Sequence, residues 1–155
     1  MGREQAMEIS GNVTALLIAL ISGILMAIQG SLNTALSKTI GLIETTFLVH
    51  LIGSLVMFAL LLGFRLGNIN IQTWTQAPWY TYFGGVLGVR IIYLVAASIP
   101  RIGVANATTA IIVGQVLMAI LIDHYGAFNL ERIPCGWNQI VGLLLLAAGA
   151  KLLLK

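Results

Sequence analysis

Residues 13–36 read VTALLIALISGILMAIQGSLNTAL, an apolar run without a single charged side chain. About 20 apolar residues in a helix are enough to cross the hydrocarbon core of a bilayer. Within a single membrane domain over residues 1–155, the sequence therefore predicts an all-α polytopic membrane protein with five transmembrane helices. The four further apolar runs lie at residues 42–64, 79–99, 102–122 and 138–154.

The composition excludes a soluble globular domain. Hydrophobic residues make up 59% of the chain and charged residues 8%, whereas soluble domains have about 25% charged residues. The net charge of +3 comes from single basic residues near the ends of apolar runs, where such side chains extend to lipid headgroups. The expected partner is therefore the lipid bilayer, and no nucleic acid is expected.

The polar residues form no arrangement that is typical of an enzyme. Glu44 and Asp123 begin on opposite sides of the membrane, and His50 and His124 lie at different depths. With one cysteine, Cys135, the chain can form neither an internal disulfide nor a cysteine-based metal site. We therefore expect no catalytic activity, metal or cofactor.

Proline and tryptophan residues mark several expected helix ends. Pro78 and Trp79 open the third span, and Trp137 precedes the fifth, since tryptophan favours the headgroup level. Ile99 is a natural stop for the third span, because the residue before a proline is pushed out of helical geometry. Residues 123–137 are expected to form an interfacial loop.

The Lys and Arg residues are distributed almost evenly between the two sides of the membrane. Orientation follows a clear excess of positive charge on one side, and here the count is three against four, with Arg90 inside the membrane. One interpretation is a single orientation set by this small bias; the other is dual topology with an antiparallel homodimer, which gives the inverted-repeat plan of many transporters. The N-terminal side carries Arg3, Arg65 and Arg132, and the other side carries Lys38, Arg101, Lys151 and Lys155.

Small residues at helical spacing mark faces where helices approach closely in lipid. Such stripes serve helix contacts in most cases and only sometimes line a moving gate. The predicted packing residues are Gly23, Ala27 and Gly30 in the first span, Gly84 and Gly88 in the third, and Gly103, Ala107, Ala110 and Gly114 in the fourth.

Six polar side chains inside the predicted spans mark a candidate substrate pathway. Polar and ionisable groups are unfavourable in a bilayer, so each is a functional candidate by default. The alternative interpretation is structural: hydrogen bonds between helices for the amides, a neighbouring carbonyl for the histidine, and an ion pair for the arginine, for example with Glu44. The six candidates are Gln29, Asn33, His50, Arg90, Asn106 and Gln115.

His50 is the best candidate for a proton-linked step, because histidine has an ordinary pKa of about 6.5. Glu44 and Asp123 are weaker candidates for coupling, since they lie near span ends where solvated carboxylates are common. Arg90 cannot lose its proton and needs an acceptor, water or an anionic group on the substrate.

A series of short motifs resembles a known family over nearly the whole chain. The series begins with Gln29-Gly30-Ser31-Leu32-Asn33, and its order is similar to that of the YdcZ-like proteins, a five-helix bacterial branch of the drug/metabolite transporter superfamily. Arg90 departs from the family pattern, which is usually apolar there. The later motifs are Gly53, Pro78-Trp79, Gly84-Gly85 with Gly88, Gly103 with Ala105 and Asn106, Gly114-Gln115, Asp123-His124-Tyr125-Gly126 and Gly142.

The resemblance implies a multi-pass protein of the bacterial plasma or inner membrane whose single-repeat subunits pair. Gln29, Asn33, Gly114, Gln115 and Asp123 match family motif positions. The predicted function is a secondary transporter, an exporter of a small polar or amphipathic metabolite, working by alternating access in a dimer, with a coupled proton as an option. The alternative is a non-transporting membrane subunit that stabilises or regulates a paralogous partner, as part of a heterodimer.

Overall fold

The computed structural model describes residues 2–64, 66–67 and 71–153, and this part of the chain is helical throughout apart from its connections. A π-helical turn, Ala59–Gly63, extends the second helix, and a 3₁₀ turn, Trp79–Tyr82, precedes the fourth. The α-helices are α1 (Gly2–Ile40), α2 (Leu42–Phe58), α3 (Ile71–Trp74), α4 (Phe83–Ile102), α5 (Val104–Tyr125) and α6 (Trp137–Leu153).

Four helical stretches in the described part of the chain are long and apolar enough to cross a membrane. Helix α6 is also apolar but has 17 residues, at the lower end of the length that spans a bilayer. These lengths confirm an all-helical membrane protein, and Leu154, the predicted end of the fifth span, lies outside the described residues. The four stretches are Asn12–Ile40, Leu42–Gly63, Trp79–Ile102 and Val104–Tyr125.

The chain divides into two compact units, Met1–Ala97 and Ser98–Lys155. In the first unit α1 packs against α2, and in the second α5 packs against α6. A single membrane domain over the whole chain stays a prediction.

Helix α1 ends at Ile40, one turn beyond the predicted end at Leu36. The added turn follows polar residues that remain compatible with a helix, because their hydroxyl groups bond to the backbone of the preceding turn. Thr34 Oγ1, for example, donates to the carbonyl oxygen of Gly30 at 2.8 Å. The helix stops only where Gly41 changes the backbone direction.

The expected helix end at Ile99 is wrong, since α4 continues through Pro100 to Ile102. Proline lacks the N–H that would bond to the carbonyl of Ala96 four residues earlier, so one backbone bond is lost. The next turn is closed nevertheless, because the Gly103 N–H donates to the Ile99 carbonyl at 2.8 Å. A proline this close to a helix end therefore does not terminate α4.

Gly41 joins α1 to α2, and Gly103 joins α4 to α5, each as the only residue between two helices. Their backbone angles are nearly the same, with φ 99° and ψ 159° at Gly41 and φ 84° and ψ 162° at Gly103. This region is essentially restricted to glycine. Each glycine donates to the carbonyl four residues earlier and accepts from the amide four residues later, at 2.8–3.1 Å. The helices thus change direction without leaving these backbone groups unpaired.

The fourth residue after each of these glycines is buried: Thr45 is 0% exposed and Ala107 is 2% exposed. The hydroxyl of Thr45 has no hydrogen-bond partner among the described residues. The neighbouring Thr46 is also buried, but its Oγ1 donates to the Leu42 carbonyl at 2.8 Å. Two adjacent threonines therefore differ in whether their hydroxyl groups are paired.

The small residues predicted to pack have very different surroundings. A Cβ atom added at Gly23, Gly84 or Gly114 would meet no atom within 4 Å, so a packing role for these glycines stays a prediction that requires a partner molecule. Gly103 stands at the N-cap of α5, just outside the helix on which its stripe was predicted. Gly30 and Ala107 are buried, Ala27 and Gly88 are half-buried, and Gly23, Gly84, Ala110 and Gly114 are exposed.

Replacing Gly103 with alanine is expected to lower the free energy of unfolding by about 1–3 kcal/mol, because the side chain forces a strained backbone. No atom lies within 4 Å of the added Cβ, so the effect reports the backbone alone. The matched control is Gly142→Ala, inside α6 and equally open, which is expected to be neutral or stabilising by up to about 1 kcal/mol. Denaturant unfolding in detergent micelles measures both, and equal stabilities would contradict the role assigned to Gly103.

Replacing Thr45 with valine is expected to raise the free energy of unfolding by about 1 kcal/mol, because it removes a buried hydroxyl without a partner. Replacing Thr46 with valine removes a hydrogen bond and is expected to lower it by about 0.5–1.5 kcal/mol. The same unfolding assay compares the two variants. A Thr45→Val protein no more stable than Thr46→Val would show that the Thr45 hydroxyl is paired.

Candidate functional site

One cleft in the first unit lies between α2 and α4 and has a volume of about 500 Å³. The residues on each wall are spaced at intervals that place them on one helix face. Two of the predicted pathway residues, His50 and Arg90, line this cleft together. The wall from α2 consists of Ile43, Thr46, Phe47 and His50, and the wall from α4 of Val89, Arg90, Tyr93 and Leu94.

His50 is held by the backbone of its own helix. Its Nδ1 lies 2.8 Å from the carbonyl oxygen of Thr46. Since a carbonyl oxygen can only accept, Nδ1 carries the proton, and Nε2 is left as the nitrogen that can accept another. The Nε2 atom lies 3.6 Å from the position that a Cβ at Gly88 would take. The proton-accepting atom of the imidazole therefore faces α4.

Arg90 has no carboxylate within 4 Å among the described residues. The ion pair considered with Glu44 is absent from the structure, where the Glu44 carboxylate lies against Gly41 instead. The sequence contains no acidic residue between positions 45 and 122. Arg90 is exposed on the side of α4, and because the surface of the cleft is almost wholly apolar, the aliphatic part of its side chain forms the wall. The guanidinium has no counter-ion in the described part of the chain.

Gln29 and Asn33 line a second, shallower groove along α1, of about 450 Å³. Ser22 and Met26 lie on the same face, as the spacing of four, seven and eleven residues predicts. Gln29 is exposed, whereas Asn33 is 6% exposed. The two amides therefore share a surface but differ in how far they reach into the protein.

The remaining two pathway candidates lie in the second unit and do not share a face of α5. Asn106 and Gln115 are nine residues apart, which is a rotation of roughly 180° and a rise of roughly 13.5 Å in an α-helix. Asn106 is half-buried and Gln115 is exposed. A common site for these two side chains on one helix is excluded, and their roles stay predictions.

Asp123, the second coupling candidate, stands where the turn after α5 folds back on the helix. Its backbone carbonyl accepts from the amides of Gly126 at 3.3 Å and Ile133 at 2.8 Å. His124 Nδ1 accepts from the Cys135 amide at 3.1 Å. The backbone of Asp123 and the ring of His124 thus hold the connection to α6, and a coupling role for the Asp123 carboxylate stays a prediction.

Two cleft residues, Thr46 and Tyr93, and the buried Thr45 were not among the predicted site residues. Thr46 supplies the carbonyl that orients His50, and the spacing of four residues between them was the available signal. Tyr93 lines the cleft one turn beyond Val89, and in the sequence it cannot be distinguished from the other apolar residues of its span. Thr45, with its unpaired hydroxyl, could not be recognised because burial depends on the fold.

No group of three or more His, Cys, Asp or Glu side chains that could hold a metal ion occurs in the described part of the structure.

Comparison with known proteins gives a family match over most of the chain. Residues 14–152 match the family DMT_YdcZ, whose description is "Putative inner membrane exporter, YdcZ". The chain is also 22% identical over 142 residues to the inner membrane protein YdcZ of Escherichia coli strain K12, covering 91% of this chain and 93% of that protein. No solved structure matches the chain.

The family match extends over every helical stretch that could cross the membrane, and over the cleft between α2 and α4. On this evidence the chain is an inner membrane protein and belongs to the YdcZ family of the drug/metabolite transporter superfamily.

Proposed function

We propose that this protein is a secondary transporter that exports a small polar or amphipathic metabolite across the inner membrane. The observation that carries the proposal is the cleft between α2 and α4, which His50 and Arg90 both line at membrane depth. Ionisable groups inside a membrane typically mark solute or proton pathways. The family description, "Putative inner membrane exporter", supports export as the direction of transport.

The proposed working unit is an antiparallel homodimer. The near balance of basic residues between the two sides of the membrane supports insertion in both orientations. Exposed glycines such as Gly23 and Gly114, without neighbours within 4 Å of a Cβ position, offer surfaces on which a second copy could pack closely. Two inverted subunits would alternate access by rocking about such stripes.

The proposed proton step belongs to His50. Its Nδ1–H bond to Thr46 keeps the ring in place, so Nε2 can gain and lose a proton without a change of side-chain conformation. Proton transfer at this atom would link the charge in the cleft to the transport cycle.

Replacing His50 with asparagine tests this step. Asparagine places an N–H close to the position of Nδ1 and retains the bond to Thr46, but has no counterpart of Nε2. Proteoliposomes that contain a pH-sensitive dye and receive a panel of amphipathic metabolites report metabolite-dependent proton movement. We expect the variant to lose at least tenfold in that rate.

The matched control is His124→Asn, in which the amide oxygen replaces Nδ1 as acceptor for the Cys135 N–H. This variant should transport like the original protein. A His50→Asn protein with normal metabolite-dependent proton flux would remove His50 from the mechanism.

Tags at the two termini test the inverted dimer. We expect labelling from both sides of the membrane in two populations of similar size, because the charge bias is small. Lysines added to one end should force a single orientation and abolish transport, and co-expression with a version forced the other way should restore it.

A single orientation in the unmodified protein, with transport intact, would contradict the antiparallel homodimer. Recovery of a paralogous membrane protein together with this chain, without metabolite flux, would favour the non-transporting regulatory subunit.

A further inference from the structure

The position of Arg90 along its helix separates it from both membrane surfaces. In the membrane-spanning stretch Trp79–Ile102, Arg90 lies 11 residues from one end and 12 from the other. At 1.5 Å per residue these separations are roughly 16–18 Å, more than an arginine side chain can reach. Contact with a lipid headgroup at the expected depth is therefore disfavoured.

The chain itself offers no mid-membrane anion to balance this charge. Acidic residues are absent from positions 45–122, and the carboxylate of Glu44 lies against Gly41 near the start of α2. A second copy has the same sequence and therefore also lacks an acidic residue at this depth. Backbone carbonyls within membrane helices are mostly used by the helices, and one that is left open, such as that of Ala96, carries no full charge. A counter-ion at this depth therefore comes from outside the chain.

The rest of the cleft is suited to the apolar part of a ligand. Phe47 and Tyr93 bring aromatic rings from the two walls, and the aliphatic side chains of Ile43, Val89 and Leu94 complete them. The α2 wall extends over seven residues, roughly 10 Å along the helix. A volume of about 500 Å³ lies within the range of small-molecule sites.

We propose that the cleft between α2 and α4 binds an amphipathic organic anion, with its carboxylate at Arg90 and its hydrocarbon part between the apolar walls. The proposal rests on the proposed function in taking this cleft as the place where the solute binds. It narrows the substrate class from any polar or amphipathic metabolite to molecules that carry one carboxylate and an aromatic or aliphatic body.

The test is calorimetric binding to the full-length protein in phosphatidylcholine nanodiscs. The probes are 4-phenylbutyrate, 4-phenylbutanol and 4-phenylbutylamine, which share one hydrocarbon body and differ in charge. We expect the anion to bind at least tenfold more tightly than the alcohol or the amine. Equal binding of the three probes, or no binding of the anion, overturns the proposal.

Arginine variants identify the residue responsible. Arg90→Gln should reduce the affinity for 4-phenylbutyrate at least tenfold and remove the preference for the anion, while Arg90→Lys should retain a preference. Arg101→Gln, in the last turn of the same helix, should bind like the original protein. An unchanged preference in Arg90→Gln, or an equal loss in Arg101→Gln, overturns the proposal. If Arg90→Gln does not fold, the test rests on the original protein and on Arg90→Lys. Both should prefer 4-phenylbutyrate to the alcohol and the amine, and the absence of that preference in either protein overturns the proposal.

Two further measurements distinguish this proposal from binding of a lipid headgroup and from the proposed transport function. Phosphatidylglycerol added to the nanodiscs should leave the affinity unchanged; competition would assign the cation to a lipid headgroup and overturn the proposal. Flux of 4-phenylbutyrate in proteoliposomes tests transport separately. Binding without flux would contradict the transport function and leave the anion site standing, whereas flux that survives in Arg90→Gln would contradict the site and leave the transport function standing.

Discussion

The structure depends on one constraint of the bilayer: hydrocarbon offers no hydrogen bonds, so polar groups must find partners within the protein. The polar side chains of α1 and α2 show how the chain satisfies this constraint. Ser31, Thr34 and Thr46 each donate a hydroxyl to the carbonyl four residues earlier, and His50 uses its Nδ1–H in the same way. These groups form hydrogen bonds within their own helix and do not need a partner on another helix.

Two groups that do not follow this rule are of functional interest. Arg90 has too many N–H donors for any single carbonyl to satisfy, and the chain places no acid at its depth. The Nε2 atom of His50 remains free after its partner nitrogen has been fixed. A basic residue and a histidine thus line the same apolar cleft, and Coulomb interactions are stronger at membrane depth than in water.

Much of the fold could be predicted from sequence because hydropathy alone defines long membrane helices, and the apolar runs correspond to α1, α2, α4, α5 and α6. The ends were less predictable. Pro100 was expected to end α4, but a proline in the last turns removes only one backbone bond there. That His50 and Arg90 line one cleft could not be derived, because hydropathy does not specify which faces of two helices turn towards each other. Asn106 and Gln115 show that membrane depth alone does not predict a common site, since residues at membrane depth can lie on opposite faces of one helix.

The single-glycine connections at Gly41 and Gly103 have a mechanical consequence. Consecutive Cα atoms are about 3.8 Å apart, so the end of one helix and the start of the next are tethered too tightly to slide independently. Helices α1 and α2, which pack against each other, can therefore separate only by rotation about Gly41. Because α2 also carries one wall of the cleft, including His50, a rotation about Gly41 would move that wall as one body with the helix.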